Sequence, residues 1–447
     1  MAIELSDIRF TNRADVVPPS GEEEILNTGI ANTLAGNDII IGTKEITTDD
    51  TGSQNRFSSI FNSGTLNTAG GNDIITGTLS QIEGYPLGED PYHYHYGIYN
   101  IGSIYTGDGN DRITGINEAV FGYGYDYGIY TEGSTIDTGD GNDIITGITQ
   151  LGMGIGSSDS TINTGDGNDT ITGIATASNF YGIDLRGTGG IDTGKGNDII
   201  TGTASWAGIF NYLDTFLNTG DGNDTITGNG TNYGPALANY GFMDTGDGND
   251  MITGSNLDEA DGILDTRGVG LLNGGEFDGF MYTGNGNDTI TGIATAEEGA
   301  GIYNLRTYTI DTGNGNDIIT GAGNRYGIIN DGIINTGNGN DIIIANGGFN
   351  VGNDRSGSVF LGNGQDYLKG FGNGSFNGGN GQDTLELTPG SYTIDISETG
   401  VNFTQPSSDP YGNGWAIMIT SEFEKLIAGG TTYDFSSLTN GQTISVA

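Results

Sequence analysis

The chain has no cysteine, only 8 prolines and 2 histidines, and only 13 basic residues among its 447. The absence of cysteine excludes disulfide bonds, thiolate zinc sites and cysteine nucleophiles. The few prolines and an apolar content of 34% argue against a proline-rich linker protein and against a membrane protein. No apolar run approaches 18 residues, so no segment is predicted to span a membrane.

Glycine and acidic residues are in excess. The sequence contains 84 Gly and 57 Asp or Glu, and its formal net charge is −44. This much glycine is atypical of a helix-rich enzyme, and the chain lacks the strict period and the proline of collagen. Because nucleic acids and anionic membranes are themselves negatively charged, neither is predicted as a partner. The folded chain is instead expected to need a cation that neutralises it.

A ten-residue motif recurs along the chain, as in TGDGNDTITG at 164–173 and TGNGNDIITG at 312–321. We take the last Asp of each copy as register zero, and thirteen copies follow one another at steps of 17 to 38 residues. A fixed motif separated by insertions of varying length is typical of a solenoid whose coils differ on one side. The register-zero residues are Asp38, Asp73, Asp111, Asp143, Asp169, Asp198, Asp224, Asp250, Asp288, Asp317, Asp341, Asp366 and Asp383.

Each coil is predicted to hold about three short strands. The residue two after the register-zero Asp is aliphatic in all thirteen copies, and many of its neighbours are β-branched, which favours a strand with one buried face. A Gly-Ile dipeptide marks a second strand, with Ile263 as the marker in the coil before Asp288, and x-Ile-Asx-Thr marks a third. The prediction is an all-β, right-handed parallel β-solenoid (a β-helix or β-roll) with an N-terminal cap at 1–32, repeats at 33–385 and a C-terminal β cap at 386–447.

The turn Thr-Gly-Asx-Gly-Asn-Asp carries the chemistry of the repeat. Glycines on both sides of Asx allow positive φ and bring backbone carbonyl oxygens inward, while the carboxylates add hard oxygen ligands at a fixed spacing. A site made of carbonyls and carboxylates, without His or Cys, suits calcium. A second interpretation is a ladder of Asn and Asp side chains that hydrogen-bond from coil to coil without metal. In that ladder, carboxylates about 5 Å apart would repel one another at every step.

The segment GDGNDTI at 165–171 and its counterparts resemble the haemolysin-type calcium-binding repeat of RTX proteins, Gly-Gly-x-Gly-x-Asp-x-aliphatic-x, over about residues 33 to 385. The resemblance implies calcium ions between successive turns, up to about twelve, held by the register-zero carboxylates and by the flanking Gly and Asx residues. The chain departs from the family pattern in having one motif per coil, which indicates a single ion column, and in placing Leu34, Ala35, Ala69 and Lys195 at turn positions. The implied ligand set is Asp73, Asp111, Asp143, Asp169, Asp198, Asp224, Asp250, Asp288, Asp317, Asp341, Asp366 and Asp383 at register zero; Asp108, Asp140, Asp166, Asp221, Asp247, Asn285, Asn314, Asn338 and Asn363 three residues earlier; and Gly107, Gly109, Gly139, Gly141, Gly165, Gly167, Gly220, Gly222, Gly246 and Gly248.

The two ends of the sequence bear on export. The N-terminal segment MAIELSDIR has no basic region followed by an apolar one, so it does not predict a Sec signal. Tandem, carbonyl-rich calcium sites are suited to extracellular calcium, and the RTX resemblance implies type I secretion through a C-terminal signal. We therefore interpret 386–447 as a cap and secretion signal of a secreted, extracellular or cell-surface protein. A cap alone is the alternative.

Aromatic residues form a second pattern. Aligning the coils on Gly-Ile places Tyr92, Tyr94, Tyr96 and Tyr99 over Tyr123, Tyr125, Tyr127 and Tyr130. Rings in register form either a self-stabilising ladder or a ligand surface for sugar rings or another protein, and that candidate surface comprises Tyr92, Tyr94, Tyr96, Tyr123, Tyr125 and Tyr127. His93 and His95 alternate with these tyrosines; an exposed strand or loop is predicted for them, with a two-His metal site as the alternative.

No catalytic signature is present, since neither HExxH nor GxSxG occurs, and the chain is not predicted to be an enzyme. The Ile and Thr columns beside the turn predict a flat face with few charges, which is either a solvated sheet, a lateral contact between copies, or an ice-binding face. The favoured function is a secreted calcium-binding structural protein that folds on extracellular calcium and self-associates into a surface layer, matrix or filament. The alternatives are a calcium-dependent adhesin or polysaccharide-binding protein that uses the tyrosines and, third, a polysaccharide-modifying enzyme of the β-helix type.

Overall fold

A computed structural model of the chain describes residues 2–18, 23–47, 56–81, 94–119, 126–176, 180–232, 234–257, 269–274, 279–350, 357–398, 400–406 and 415–447. The ordered elements of these residues are almost all β-strands, and they divide into two compact units, Met1–Thr231 and Asn232–Ala447. In each unit the chain runs through up to three strands per coil, and corresponding strands of successive coils pair in parallel. Each unit is therefore a parallel β-solenoid, as the repeat predicts.

Three sheets recur in both units: sheet 1 holds the strand that follows the register-zero Asp, sheet 2 the Gly-Ile strand, and sheet 3 the strand that leads back to the turn. In the first unit, sheet 1 comprises Val16–Val17, Ile39–Ile46, Ile74–Gln81, Arg112–Asn117, Ile144–Thr149, Thr170–Ala175, Ile199–Thr203 and Thr225–Gly230. Sheet 2 comprises Ile3–Glu4, Ile25–Asn27, Arg56–Asn62, Tyr94–Asn100, Asp126–Glu132, Met153–Ser158, Tyr181–Arg186 and Ala207–Asn211. Sheet 3 comprises Ile30–Asn32, Thr65–Asn67, Ser103–Tyr105, Thr135–Asp137, Thr161–Asn163, Gly189–Asp192 and Thr215–Asn218.

The second unit repeats this arrangement. Its sheet 1 comprises Met251–Asn256, Thr289–Ala294, Ile318–Gly323, Ile342–Asn346, Tyr367–Lys369, Thr384–Glu386, Lys425–Ala428 and Thr431–Asp434. Its sheet 2 comprises Leu237–Asn239, Val269–Asn273, Ala300–Asn304 and Tyr326–Asn330. Its sheet 3 comprises Phe242–Asp244, Phe280–Tyr282, Thr309–Asp311, Ile333–Asn335, Ser358–Phe360, Gly374–Asn377, Gly390–Ser397, Gly400–Pro406, Trp415–Ser421 and Thr443–Val446, and a small fourth sheet pairs Asn363–Gly364 with Asn380–Gly381.

Columns of aliphatic side chains in register form the core of each unit. Ile113 pairs with Ile145, and Ile145 pairs with Ile171. The aliphatic residue two after the register-zero Asp is at most 1% exposed in all thirteen coils. Because side chains alternate along a strand, the residues on either side of this column face outward. The predicted core column is confirmed.

Sheets 1 and 2 approach each other backbone to backbone at glycines. A β-carbon on Gly115 would lie 2.1 Å from the Gly128 carbonyl oxygen, and one on Gly147 would lie 2.1 Å from the Gly154 carbonyl oxygen. No side chain fits in such a gap, so the Gly after Ile-Thr is required by the narrow cross-section of the coil.

The strands at the two ends extend the coils. Ile3–Glu4 and Val16–Val17 pair in parallel with strands of the first coil. At the other end, Trp415–Ser421 pairs in parallel with Gly374–Asn377. On its other side it pairs in antiparallel with Gly400–Pro406, which in turn pairs in antiparallel with Gly390–Ser397. The described part of the chain contains short 3-10 helices, and none of its helices has the length and apolar character of a membrane span.

One predicted strand marker is wrong. Leu271 pairs with Leu237 on one side and with Ile302 on the other, so Gly270-Leu271 is the sheet 2 marker in the coil before Asp288. Ile263, which the sequence prediction used, lies outside the described residues. Leu271 is fully buried, and Leu serves this column as well as Ile does. A pattern restricted to Gly-Ile therefore missed the position.

Candidate metal centre

The turn between sheets 3 and 1 positions the register-zero carboxylates. In one coil, the Asp137 side chain at the end of sheet 3 accepts a hydrogen bond from the Gly139 N–H at 3.2 Å, which starts the turn. Gly139 and Gly141 adopt φ of 77° and 153°, a backbone that L-residues rarely take. The chain thereby turns the corner from sheet 3 to sheet 1 within a few residues and enters sheet 1 at Asp143, whose side chain is fully buried.

A column of buried carboxylates runs from coil to coil in each unit. Within a unit, the backbone N–H of one register-zero Asp donates to Oδ1 of the Asp one coil further on, as in Asp111 to Asp143 and Asp143 to Asp169, both at 2.8 Å. In the second unit the same bond joins Asp288 to Asp317 at 2.8 Å. All thirteen register-zero residues are at most 2% exposed. Burial of so many acids along one line is costly unless a cation or a proton compensates for their charge.

The second carboxylate oxygen of most of these residues has no partner. The Oδ2 atom is buried and makes no hydrogen bond in Asp73, Asp111, Asp143, Asp169, Asp198, Asp317, Asp341, Asp366 and Asp383. The turn threonines lie close enough to these carboxyls to lower their pKa, as Thr106 does for Asp111 and Thr138 for Asp143, but their hydroxyls donate to the Thr carbonyl of the next coil at 3.2 and 3.5 Å. In Asp38 and Asp288 a Thr hydroxyl does reach Oδ2, and Thr283 donates to Asp288 at 2.7 Å.

Without a cation, these carboxyls are poor acids. Burial is the main cause, and it raises the pKa of Asp143, Asp169, Asp224 and Asp341 to about 7 and the pKa of Asp73, Asp288 and Asp366 to about 6. The Thr138 hydroxyl and the Asp111 N–H lower the pKa of Asp143, while the charges of Asp111 and Asp169 raise it further. The raised pKa values mean that the folded column favours either protons or another positive partner.

The metal-free protein should therefore lose stability as the pH rises. The folded carboxyls have a pKa of about 6 to 7, against about 3.9 in an unfolded chain, so the folded state holds protons that the unfolded state releases. The destabilisation is absent below about pH 4, grows up to about pH 7 and is complete above it. Circular dichroism in a chelator should show more β-structure at about pH 5 than at about pH 8. More β-structure at about pH 8 would contradict the buried column.

The Asx residues three before register zero lie outside the column. Asp140 and Asp166 are exposed, and the Asp166 N–H donates to Asp140 Oδ1 at 3.2 Å. The Asp140 carbonyl accepts from the Gly109 N–H at 2.8 Å. Lys195 is exposed at the same position, and its carbonyl accepts from the Gly167 N–H at 2.6 Å. These residues hold neighbouring turns together through backbone hydrogen bonds.

The Asn residues before register zero form the ladder of the second interpretation. The Asn168 N–H donates to Asn142 Oδ1 at 2.7 Å, and the Asn316 N–H donates to Asn287 Oδ1 at 2.8 Å. Both columns of amides are exposed. A metal-free ladder therefore exists at the surface of the turn, next to a buried carboxylate column that has different partners.

The turn glycines stack with almost no space between coils. A β-carbon on Gly167 would lie 1.5 Å from the Gly141 carbonyl oxygen, and one on Gly315 would lie 1.3 Å from the Gly286 carbonyl oxygen. Leu34 and Ala69 take φ of 69° and 67°, so the early turns keep the backbone bend without glycine. The result is a row of carbonyl oxygens at the coil spacing beside the carboxylates.

Calcium fits this set of donors. It binds six to eight hard oxygens, and both carboxylates and backbone carbonyls qualify. Within the described residues, no three side chains of His, Cys, Asp or Glu are grouped so as to hold a metal ion. An ion in the column would therefore take carboxylate oxygens from successive coils and complete its shell with carbonyls or water.

Two residues of this column were missed from the sequence. The Asp15 N–H donates to Asp38 Oδ1 at 2.7 Å, and Glu424 Oε2 accepts from the Asp383 N–H at 2.8 Å. Asp15 and Glu424 thus stand one coil before and one coil after the thirteen copies. Neither has a glycine-rich turn, but each is followed two residues later by a buried aliphatic residue, Val17 or Leu426. The Asp-x-aliphatic rule, extended to Glu, would have found both.

Tyr96 pairs with Tyr127 and Tyr99 with Tyr130 as predicted, but Tyr96 and Tyr127 do not form a surface. Tyr96 lies over Tyr127 with ring centroids 5.6 Å apart. Tyr96 is 2% and Tyr127 8% exposed, so the prediction of a ligand surface is wrong for these two: they pack against other aromatic rings and Met153. Tyr94 is half-buried in the same cluster. Tyr92, Tyr123 and Tyr125 lie outside the described residues.

His95 is also not exposed as predicted. Its Nδ1 lies 2.7 Å from Asp126 Oδ1, and both side chains are at most 1% exposed. The Phe57 ring stacks on the imidazole with centroids 5.6 Å apart. His93 lies outside the described residues. Alternation along the strand does not show which side chains are covered, and here both His95 and its neighbour Tyr96 are buried.

Fold and site together define a class of protein: a parallel β-solenoid with a buried carboxylate column at one corner of its coils. No protein-family model matches the chain, and no curated protein matches it. Among solved structures, the crystal structure of a hyperactive, Ca2+-dependent, β-helical antifreeze protein from an Antarctic bacterium aligns with 97% of this chain and 93% of its own, at 17% identity and a TM-score of 0.41. The fold of this chain is established by its own strand pairing.

Proposed function

We propose that this chain is a secreted, calcium-loaded β-solenoid with a structural role. One observation carries the proposal: buried carboxylates stand one per coil, and an oxygen of most of them lacks a hydrogen-bond partner. Calcium between successive turns satisfies those oxygens and neutralises the column. Because the ligands must be deprotonated and are assembled only by folding, the free energy of calcium binding becomes free energy of folding.

The negative charge of the calcium-free chain also bears on where the protein folds. An acidic chain without its cation repels itself, and it would remain unfolded where calcium is scarce. It would fold where calcium is abundant, which is outside the cell. Export through a type I signal within 386–447 is part of this proposal.

A calcium titration tests the proposal. Circular dichroism should show a metal-free chain at about pH 8 that gains β-structure cooperatively as calcium is added, and magnesium at the same concentration should not replace it. Light scattering recorded in parallel should rise after the fold has formed. A chain that is fully folded in excess EGTA would contradict calcium-dependent folding, and a folded chain that stays monomeric would contradict the structural role.

The assembly surface that we propose is the outward side of sheet 1 in the first unit, which we call the Thr/Ile face. It consists of the residues one, three and five after each register-zero Asp. These are Ile39, Ile41, Thr43, Ile74, Thr76, Thr78, Arg112, Thr114, Ile116, Ile144, Thr146, Ile148, Thr170, Thr172, Ile174, Ile199, Thr201, Thr203, Thr225, Thr227 and Asn229. None of them is acidic, although the chain has a net charge of −44.

The size and charge of the Thr/Ile face suit a second copy. Seven strands at about 4.8 Å and three outward residues per strand cover roughly 30 Å by 17 Å, about 500 Å2. Two such faces would bury about 1,000 Å2, which is the lower end for a specific interface and suits a contact repeated in a lattice. A second copy has the same coil spacing, so rows of methyl groups can interdigitate without bringing carboxylates together.

Two adjacent charges should abolish assembly but not folding. Thr146→Glu with Thr172→Glu places like charges in the middle of the Thr/Ile face, where the partner copy would bring its own. The variant should keep the calcium-induced circular dichroism change and lose at least about 90% of the scattering increase. Thr135→Glu with Thr161→Glu is the matched control, since these residues pair in register on the outward side of sheet 3. Equal scattering from both variants would exclude the Thr/Ile face.

A further inference from the structure

The carboxylate column does not stop at the last glycine-rich turn. Asp383 ends that turn, and the strand Thr384–Glu386 follows it. The C-terminal strand Lys425–Ala428 pairs in parallel with Thr384–Glu386, with Leu426 opposite Leu385. Glu424 therefore stands one full coil beyond Asp383, although no repeat motif leads to it.

Glu424 makes the bonds of a register-zero residue. Its Oε2 accepts from the Asp383 N–H at 2.8 Å, just as Asp383 Oδ1 accepts from the Asp366 N–H at 2.9 Å. The Lys425 N–H donates to the Asp383 carbonyl at 3.0 Å, as the Thr384 N–H does to the Asp366 carbonyl at 2.8 Å. A glutamate thus continues the column, with one extra methylene group that reaches the same donor.

The end of the column also brings two oxygens close together beside Gly378. Gly378 lies five residues before Asp383, where most other coils have a buried Thr such as Thr336. A β-carbon on Gly378 would lie 2.1 Å from the Glu422 carbonyl oxygen and 3.0 Å from Asp383 Oδ2. The two oxygens, one from the C-terminal strands and one from the last repeat, therefore lie against the same glycine. Asp383 is fully buried, and its Oδ2 atom has no hydrogen-bond partner.

The charges at this end are nearly all negative. Burial raises the pKa of Asp383, and the charges of Glu424 and Glu422 raise it further. The nearest base in the sequence, Lys425, has an exposed side chain. Glu422 adopts φ of 56°, in the left-handed region that is unfavourable for a residue with a side chain. A cation would relieve the repulsion among these groups and pair with the unpartnered oxygen.

We propose that Asp383, Glu424 and the backbone carbonyl of Glu422 form a terminal calcium site that the repeat motif does not encode. The choice of calcium rests on the proposed function, and the ligands are hard oxygens only, from carboxylates and a carbonyl. The site joins the C-terminal strands to the last repeat, because its ligands come from both. Its occupancy would hold Lys425–Ala428 against Thr384–Glu386.

Anomalous diffraction from crystals of the full chain grown with calcium, and soaked with terbium as a heavier substitute, locates the ions directly. A peak within ligand distance of Asp383 and the Glu422 carbonyl supports the terminal site. Peaks along the upstream turns with none beside Asp383 would overturn this inference and leave the proposed function intact. An absence of any peak would overturn both.

A variant in solution gives an independent test. Glu424→Gln keeps an acceptor for the Asp383 N–H but removes the charge, so the strand pairing should form while ion binding weakens. In saturating calcium, hydrogen exchange in 384–386 and 425–428 should become at least about tenfold faster, with exchange in 144–149 unchanged. Glu398→Gln, in the exposed turn between Gly390–Ser397 and Gly400–Pro406, is the control and should leave every segment unchanged. Equal exchange in Glu424→Gln and the unmodified protein would overturn the terminal site.

Discussion

Gly167→Ala is expected to be among the most damaging single substitutions in this chain. Its β-carbon would lie 1.5 Å from the Gly141 carbonyl oxygen, and neither atom belongs to a flexible side chain. The backbones of two neighbouring turns would have to separate, which breaks the hydrogen bonds between them and displaces the carboxylates. We expect a loss of more than about 4 kcal/mol in the free energy of unfolding, measured by urea unfolding in saturating calcium.

Gly133→Ala is the matched control in the same unit. Gly133 has φ of 57° but no heavy atom within 4 Å of a built β-carbon. Its replacement should cost only about 1 kcal/mol, from backbone strain. If both variants lost the same stability, the close stacking of turns would not be what the repeat glycines provide.

Replacing three successive column residues should stabilise the folded protein in the absence of calcium and destabilise it in the presence of calcium. The triple variant combines Asp143→Asn, Asp169→Asn and Asp198→Asn. Each new amide oxygen can still accept the hydrogen bond from the backbone N–H of the preceding coil. Without calcium at about pH 8, three buried charges disappear; the pKa of about 7 marks a penalty of up to about 4 kcal/mol for Asp143 and for Asp169, and burial raises the pKa of Asp198 as well. We therefore expect the variant to be several kcal/mol more stable than the unmodified protein in a chelator.

In calcium the same variant should be the less stable one. Loss of three carboxylates removes ligands from adjoining sites, and each site is worth about 2.7 kcal/mol when calcium is a hundredfold above its dissociation constant. The control Asp140→Asn with Asp166→Asn changes exposed side chains whose carbonyls remain, so its effect in calcium should stay within about 0.5 kcal/mol. A triple variant that is destabilised equally with and without calcium would indicate a purely hydrogen-bonded column.

The sequence predicts the fold well because the repeat constrains every coil in the same way. Ile113, Ile145 and Ile171 had to share a column, since strand side chains alternate and the spacing to the turn never changes. The constancy of the turn likewise identified the register-zero acids. In such a solenoid, the strand positions assigned to one coil predict those of the neighbouring coils, because each coil repeats the same pattern.

The sequence predicts much less about which side chains are covered. Asp140 and Asp143 look alike in the motif, yet one is exposed and the other buried. Tyr96 and His95 are buried by packing against other coils, which local alternation cannot reveal. Glu424 joins the column across a long insertion and without a glycine-rich turn, so a search for the turn motif missed it.

Counting bound ions is the most direct test of the central claim that the buried column binds calcium. The full chain would be dialysed to equilibrium against calcium, separated from free ion by gel filtration and analysed for calcium by mass spectrometry. We predict that each chain retains several calcium ions, up to about one for each pair of successive turns, and that the triple Asn variant retains fewer. A folded chain that retains less than one calcium ion would contradict it.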